Sequence, residues 1–214
     1  MIWGLIPARL GAETKKRLEP ALAPALRREF AQAMLADVIT ALMAAETLAG
    51  VSVLAGDEEA ANLALKLGAL PLHDSGGGLN NAVAAGMSFA SEQKATGVII
   101  AMGDLPILRS TDIDRMVAGL PVHGAVAAPS RDGSGTNLLG LRPPGLLHTH
   151  FGNQSLCAHQ QEARNLGIPW QEIDPGGSAL DVDTPEDLGE LRRLLKTSDA
   201  PARATRRVLR AAGL

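Results

Sequence analysis

Tyrosine is absent and aromatic residues make up only 2% of the 214 residues, which reads as compositional bias in an alanine-rich chain rather than as a functional signal. A single cysteine, Cys157, excludes an internal disulfide and fits a reducing cytoplasm. As a lone thiol it reads as a small core filler rather than a nucleophile. No window approaches the roughly 18 apolar residues that cross a bilayer. The start, Met-Ile-Trp-Gly-Leu-Ile-Pro, lacks the basic stretch and cleavage site of a secretory signal, so a soluble cytoplasmic protein is expected. Charge of either sign is scarce in excess: the net value is −3, which requires neither a nucleic acid nor a membrane surface as partner. The five histidines lack metal-site spacing and read as surface or packing residues.

What is present is an alternation of apolar strands and amphipathic helices. It predicts one α/β domain with a mainly parallel sheet covered by helices. Residues 1–6 read as a first strand stopped by Pro7, followed by a polar loop over 8–23. Leu26, Phe30, Met34, Val38 and Leu42 recur every four residues and mark one apolar helix stripe. Strands follow at 51–55, 70–72, 97–102, 124–128, 137–141 and 170–173. Helices are expected at 58–67, 80–94, 155–166 and from Pro185, where Thr184 is a cap. Thr111-Asp-Ile-Asp114 has a capping-box pattern for a further short helix. The domain is expected to end at residue 196. The segment 197–214, with four arginines, reads as a basic tail or a peripheral helix.

Four clusters lie where strands should end, the edge at which open α/β sheets collect ligands. The loop after strand one carries Pro7, Arg9, Lys15, Lys16 and Arg17, four cations within nine residues, suited to a triphosphate or to a solvated basic loop. Asp74 opens a turn through Gly76, Gly77, Gly78, Leu79 and Asn80. Its glycines allow close backbone approach to a nucleobase or ribose, and otherwise form a turn with Asn80 as helix cap. No Gly-Lys-Ser/Thr follows, so this is not a Walker loop. Asp104 directly follows the 97–102 strand and suits Mg²⁺, which takes one or two carboxylates plus substrate phosphates; a turn role is the plainer reading. In Asp181-Val182-Asp183 an extended backbone points both carboxylates the same way, a costly arrangement without a cation, although Asp183 can also help cap the next helix. Two more segments suit an anion: 130–137, ending in Thr136-Asn137, and Phe151-Gly152-Asn-Gln-Ser155 at a helix start.

In order, Lys15-x-Arg17-Leu18, Gly78-Leu79-Asn80, Asp104-Leu105-Pro106, Gly135-Thr136-Asn137, Phe151-Gly152-x-x-Ser155 and Asp181-Val-Asp183-Thr-Pro-Glu-Asp187 resemble one family. It is that of the 2-phospho-L-lactate, phosphoenolpyruvate and 3-phosphoglycerate guanylyltransferases of coenzyme F420 biosynthesis. The likeness spans roughly residues 2–195 and leaves out the arginine-rich end. It implies a single-domain, three-layer Rossmann-like nucleotidyltransferase fold of the molybdenum-cofactor guanylyltransferase type, GTP as substrate and Mg²⁺, two ions, on Asp104, Asp181 and Asp183. It further implies that Thr136, Asn137, Gly152 and Ser155 seat the acid, and that Lys15 and Arg17 face the triphosphate. Pro7, Arg9, Asp74 and the Gly78–Asn80 turn are then expected at the nucleotide. Where the family commonly has Lys-Pro, this chain has Arg9-Leu10, which keeps the charge but changes its geometry.

The implied reaction is attack of the acceptor's phosphate oxygen on the α-phosphorus of GTP, with release of pyrophosphate. Repulsion between two polyanions is its chief obstacle, and an ionised phosphate needs no general base. Small-molecule substrates are the expected partners, with a homodimer and a downstream F420 transferase as further expectations. Three other readings use the same residues. A metal-dependent sugar transferase usually has its Asp-x-Asp at the strand where only Asp104 stands. A molybdenum-cofactor nucleotidyltransferase begins with a Leu-Ala-Gly-Gly stretch missing here. A non-catalytic nucleotide sensor has no use for three aspartates.

Overall fold

The protein is described by a computed structural model covering residues 1–11, 14–74, 76–174, 176–197 and 199–214. Ala12 and Glu13 of the first loop, Ser75 of the glycine-rich turn and Ser198 ahead of the basic end lie outside the described residues. In chain order the elements are β1 (Ile2–Ala8), a 3₁₀ turn (Lys16–Leu18), α1 (Pro24–Met43), β2 (Leu48–Ala55), α2 (Glu58–Lys66), β3 (Leu70–His73) and α3 (Leu79–Glu92). They continue with β4 (Gly97–Ala101), α4 (Ser110–Gly119), β5 (Gly124–Pro129), β6 (Thr136–Arg142), α5 (Ser155–Asn165), β7 (Trp170–Glu172), α6 (Pro185–Thr197) and α7 (Arg203–Ala211).

Among the described residues the strands form one sheet in the order β3-β2-β1-β4-β6-β5-β7. It is parallel except for β6, which runs antiparallel to both β4 and β5. The order reverses between β1 and β4, the switch point where crevices open beyond the strand ends. Because β6 runs backwards, its first residues, Thr136 and Asn137, stand at the edge where β4 ends; Met102 N–H donates to the Asn137 carbonyl at 3.1 Å.

Period-two alternation in the strands divides the core. Ile99, Ala101, Val53 and Val126 face α1, α2 and α4, whereas Val98, Ile100, Leu54 and Ala125 face α3 and α5. The single stripe expected on α1 is an underestimate. Leu35, Val38, Ile39 and Leu42 pack toward the sheet, while Phe30 and Met34 join Leu18, Val182, Leu191 and Leu209 in a third cluster under α6 and α7. A helix covered on several sides is apolar on several sides.

Four local expectations need correction. β1 runs through Pro7 to Ala8: its ladder to β4 ends at Leu5 and only that to β2 continues, so a residue without N–H is tolerated there. β2 starts three residues early, at Leu48, because its first residues pair with Ile2 and Trp3 of β1; Gly50 lies beneath the Trp3 ring, where a Cβ would come within 2.4 Å of it. α4 starts at Ser110 rather than Thr111, since Asp112 accepts from Arg109 N–H at 2.9 Å; Asp114 instead holds Thr47. Cys157 is exposed on α5, not a core filler.

The basic end forms α7, and α1 caps it. Asp37 on α1 accepts from the backbone N–H of Ala204 and of Thr205, both at 2.9 Å. Burial raises its pKa against these hydrogen bonds. Asp37→Ala is expected to cost about 1–2 kcal/mol, the ordinary value of a lost helix cap. Urea unfolding checks this, with α7 losing amide protection first. No helix among the described residues is long and apolar enough to cross a membrane.

Candidate active site

Two clefts open along the strand-end edge and share a wall. The first, about 610 Å³, is lined by Pro7 at the end of β1, by Arg9 and Lys15 after it, by Asp74 and Gly76–Gly78 ahead of α3, and by Asp104 after β4. The second, about 710 Å³, is lined by Thr136, Gly152, Ser155, Asp181, Arg17 and Arg131, among others. Leu79, Met102, Asp104 and Asp183 belong to both. Each cleft falls within the size range of small-molecule sites.

Local chemistry explains how each wall forms. Gly76, Gly77 and Gly78 have φ of 93°, 91° and 90°, a consecutive run that L side chains rarely adopt. The turn is pinned by Asp74, whose carboxylate accepts from Gly76 N–H at 2.9 Å and lies 3.4 Å from the Arg9 guanidinium. At the other wall, Val182 is fully buried and its N–H donates to the Asp104 carbonyl at 3.2 Å, which fixes Asp181 and Asp183 beside Asp104. Thr184 and Asp187 cap α6 reciprocally, so Asp183 is not needed there.

At the shared wall Lys15 Nζ lies 2.6 Å from Asp104 Oδ2 and 2.6 Å from Asp183 Oδ1. Asp183 also pairs with Arg17. Burial would lower the Lys15 pKa, but the charges of Asp104 and Asp183 outweigh it and raise it. Burial likewise pushes Asp183 up, and Lys15 followed by Arg17 brings it below the usual carboxylate range. Asp181 is raised, first by burial and then by the Asp104 charge, against a hydrogen bond from Asn137. Lys15 has φ 52° and ψ 39°, a left-handed conformation uncommon outside glycine and sustained here by its two carboxylate contacts.

The residues marked in the sequence do not all meet the clefts as expected. Arg17 stands at the second cleft rather than with Lys15 at the first. Asn80 neither caps α3, whose cap is Gly78, nor lines the first cleft. Its amide clamps Phe151, donating to the carbonyl at 3.1 Å and accepting from the N–H at 2.8 Å. Asn137 lines the second cleft as expected but is mostly buried, with Nδ2 on the Ser178 carbonyl at 2.9 Å and on Asp181 at 3.3 Å, so it also supports the aspartate segment. Gly152 has φ 136°, reachable for glycine, and Ser155 Oγ accepts from Thr136 N–H at 2.8 Å.

One group escaped the sequence reading. His159, read as surface or packing, is fully buried behind Thr136, with Nδ1 3.0 Å from its hydroxyl. The available signal was the four-residue spacing from Ser155, which puts both on one face of α5. Burial, then His150, lowers its pKa from 6.5 to about 4. The fold therefore needs the neutral ring, whereas the unfolded chain takes up a proton below about pH 6.5. This contribution is complete above pH 6.5 and is lost as pH falls towards 4. The expected cost is roughly 3 kcal/mol across that window. Urea unfolding at pH 7 and pH 4.5 checks it, with His159→Asn flattening that part of the slope.

The fold is that of the nucleotidyltransferases. A cytidylyltransferase structure from Leptospira borgpetersenii superposes with a TM-score of 0.65 at 16% identity, over 99% of this chain and 93% of that one. A proposed nucleotide-diphospho-sugar transferase from Desulfovibrio desulfuricans G20 superposes with a TM-score of 0.81 at 18% identity, over 99% and 95%. More specifically, the chain belongs to the family described as guanylyl transferase CofC like, whose pattern matches residues 2–212 and so includes the basic end. It is 38% identical to a phosphoenolpyruvate guanylyltransferase from Sphaerobacter thermophilus, over 87% of this chain and 90% of that protein. It is 35% identical to a 3-phospho-D-glycerate guanylyltransferase from Phenylobacterium zucineum, over 90% of each.

Proposed function

We propose that the protein transfers GMP from GTP to the phosphate of a small phosphorylated carboxylic acid (phosphoenolpyruvate, 2-phospholactate or 3-phosphoglycerate) and releases pyrophosphate. The observation that carries this reading is the pair of clefts meeting at Asp104 and Asp183, one for each substrate, with Lys15 at the junction. Family membership assigns the nucleotide and the kind of acceptor, and argues against the sugar-transferase and sensor readings.

The first cleft would hold GTP. Gly76–Gly78, free of side chains, and Pro7 line the nucleoside end, with Arg9 and Lys15 nearer the phosphates. The second would hold the acid, with Thr136, Gly152 and Ser155 at its carboxylate. An acceptor phosphate oxygen bonds to the α-phosphorus, the α–β bridge breaks, and pyrophosphate leaves with the electron pair. Lys15 and Arg17 would stabilise charge at the phosphorus under attack. Holding both reactants at one wall replaces a bimolecular encounter.

The first cleft is not basic enough alone, because Arg9 and Lys15 face Asp74, Asp104 and Asp183. Among the described residues no three or more His, Cys, Asp or Glu side chains form a ready metal cage. Mg²⁺ brought by a nucleotide needs only one or two carboxylates, and Asp104 offers a buried Oδ1 with no hydrogen-bond partner. Asp104 and Asp183, with Asp181 beside them, would hold it, and when bound it supplies neutralisation and alignment of the triphosphate. The product carries the diphosphate bridge that a later transferase of F420 biosynthesis would consume.

Pyrophosphate release from GTP and Mg²⁺, with each of the three acids offered separately, tests the proposal. Release is expected with GTP well above ATP or CTP and only when an acid is present. Acid-independent release, or none with any of the three acids, would contradict it.

A further inference from the structure

The acid cleft is backed by a small hydrogen-bond relay, buried at Thr136, Ser155 and His159 and part-buried at the His150 N–H. Its polarity follows from its fixed members. The backbone N–H of His150 can only donate, and it lies 2.8 Å from His159 Nε2, so Nε2 is the bare nitrogen. The ring is neutral in the fold, and its proton therefore sits on Nδ1, 3.0 Å from Thr136 Oγ1. Ser155 Oγ accepts from Thr136 N–H at 2.8 Å and turns its own proton to Thr136 Oγ1 at 3.3 Å. Thr136 Oγ1 thus receives two hydrogen bonds, and both of its acceptor sites are filled. Its hydroxyl proton is the one group left over, on a residue that lines the cleft.

We propose that His159 is a positioning residue: it locks the Thr136 hydroxyl as a donor into the second cleft and thereby selects an acceptor-only anion, the carboxylate of the acid. A hydroxyl without such a lock can turn either lone pair or proton to a ligand and discriminates less. The same ring holds His150 N–H, next to the Phe151 backbone that Asn80 clamps, so it also fixes the approach to Gly152. The identity of the ligand rests on the acid-site reading above. The polarity of the relay does not.

Two near-isosteric variants separate locking from packing. Asn places an amide N–H where Nδ1 stands and keeps the donor to Thr136. Gln places its terminal group near Nε2, keeping the partner for His150 but not the donor. In steady-state kinetics His159→Gln is expected to raise KM for the acid about 10- to 100-fold, the worth of a hydrogen bond to a charged group. KM for GTP should stay unchanged. His159→Asn should recover most of the loss, and in a Thr136→Val background the Gln change should add nothing. Equal damage from Asn and Gln, or a rise in KM for both substrates, would mean packing alone and would overturn the proposal. So would wild-type behaviour of His159→Gln.

A second measurement does not depend on the folding of a variant. Nitrogen-15 spectra of histidine-labelled wild-type protein should show His159 as the Nδ1–H tautomer at neutral pH; the Nε2–H tautomer would overturn the relay. If wild-type protein shows this tautomer but no acid-dependent turnover, the functional reading and the carboxylate assignment fail together while the relay stands.

Discussion

Replacing Asp104 with asparagine is expected to lower GMP transfer by about a thousandfold or more while leaving the fold in place. The size follows from losing one carboxylate at the wall shared by both substrates, where several kcal/mol of charge stabilisation is assigned, each 1.36 kcal/mol being about tenfold in rate. The fold should survive because Asp104 contributes little to packing. Its Oδ1 has no hydrogen-bond partner, its Oδ2 contact to Lys15 can be made by an amide oxygen, and its backbone carbonyl still accepts from Val182 N–H. Pyrophosphate release and thermal unfolding, measured on the same preparation, check both halves. Retention of more than about a tenth of wild-type turnover would remove Asp104 from the chemistry.

Lys15→Met should have the second largest effect, and it separates two duties of one ammonium. Turnover is expected to fall by about 10²- to 10³-fold, as when a single charge-stabilising donor is lost. Resting stability should also fall, because Asp104 and Asp183 lose the cation between them. Removing one partner from a buried pair costs about 3–5 kcal/mol, and solvent at the cleft mouth should reduce this to about 1–2 kcal/mol. Asp183 would then titrate higher than in the wild type, so the variant's deficit should shrink as pH falls through that range. Mg²⁺ should raise the melting temperature of the variant more than that of the wild type, since a divalent cation can take the place of the missing ammonium. An unresponsive melting temperature would contradict the metal assignment to Asp104 and Asp183.

These effects rest on residues whose legibility in the sequence was uneven. Asp104 was readable because the apolar 97–102 run has to end and a carboxylate at a strand end meets the ligand edge. Asp181 and Asp183 were readable because two like charges on one side of an extended segment call for a counter-charge. That the counter-charge is Lys15 was not, since it lies 89 residues from Asp104 and 168 from Asp183. The same distance problem hid Asp37 as the cap of α7, 167 residues away, and left open whether the basic end is a tail or a peripheral helix, where the structure docks a helix.

Asn80 shows a different limit. Its place beside three glycines suggested a ligand, but both ends of its amide are used by Phe151 from a loop 71 residues on. Local pattern marks where a polar group stands and leaves open what it meets. The antiparallel insertion of β6 matters most in this respect. Its apolar run reads the same in either direction, yet only the reversed direction brings Thr136 to the edge beside Asp104 and makes the second cleft.

The most direct test of the whole account is a phosphorus-31 spectrum of the protein with GTP, Mg²⁺ and each acid in turn. The account predicts, with at least one of the three acids, two coupled diphosphate resonances from a guanosine–acid conjugate, growing in step with free pyrophosphate. Pyrophosphate accompanied by GMP alone would show hydrolysis, and an unchanged GTP spectrum with all three acids would show no transfer. Either result would contradict the two-cleft reading.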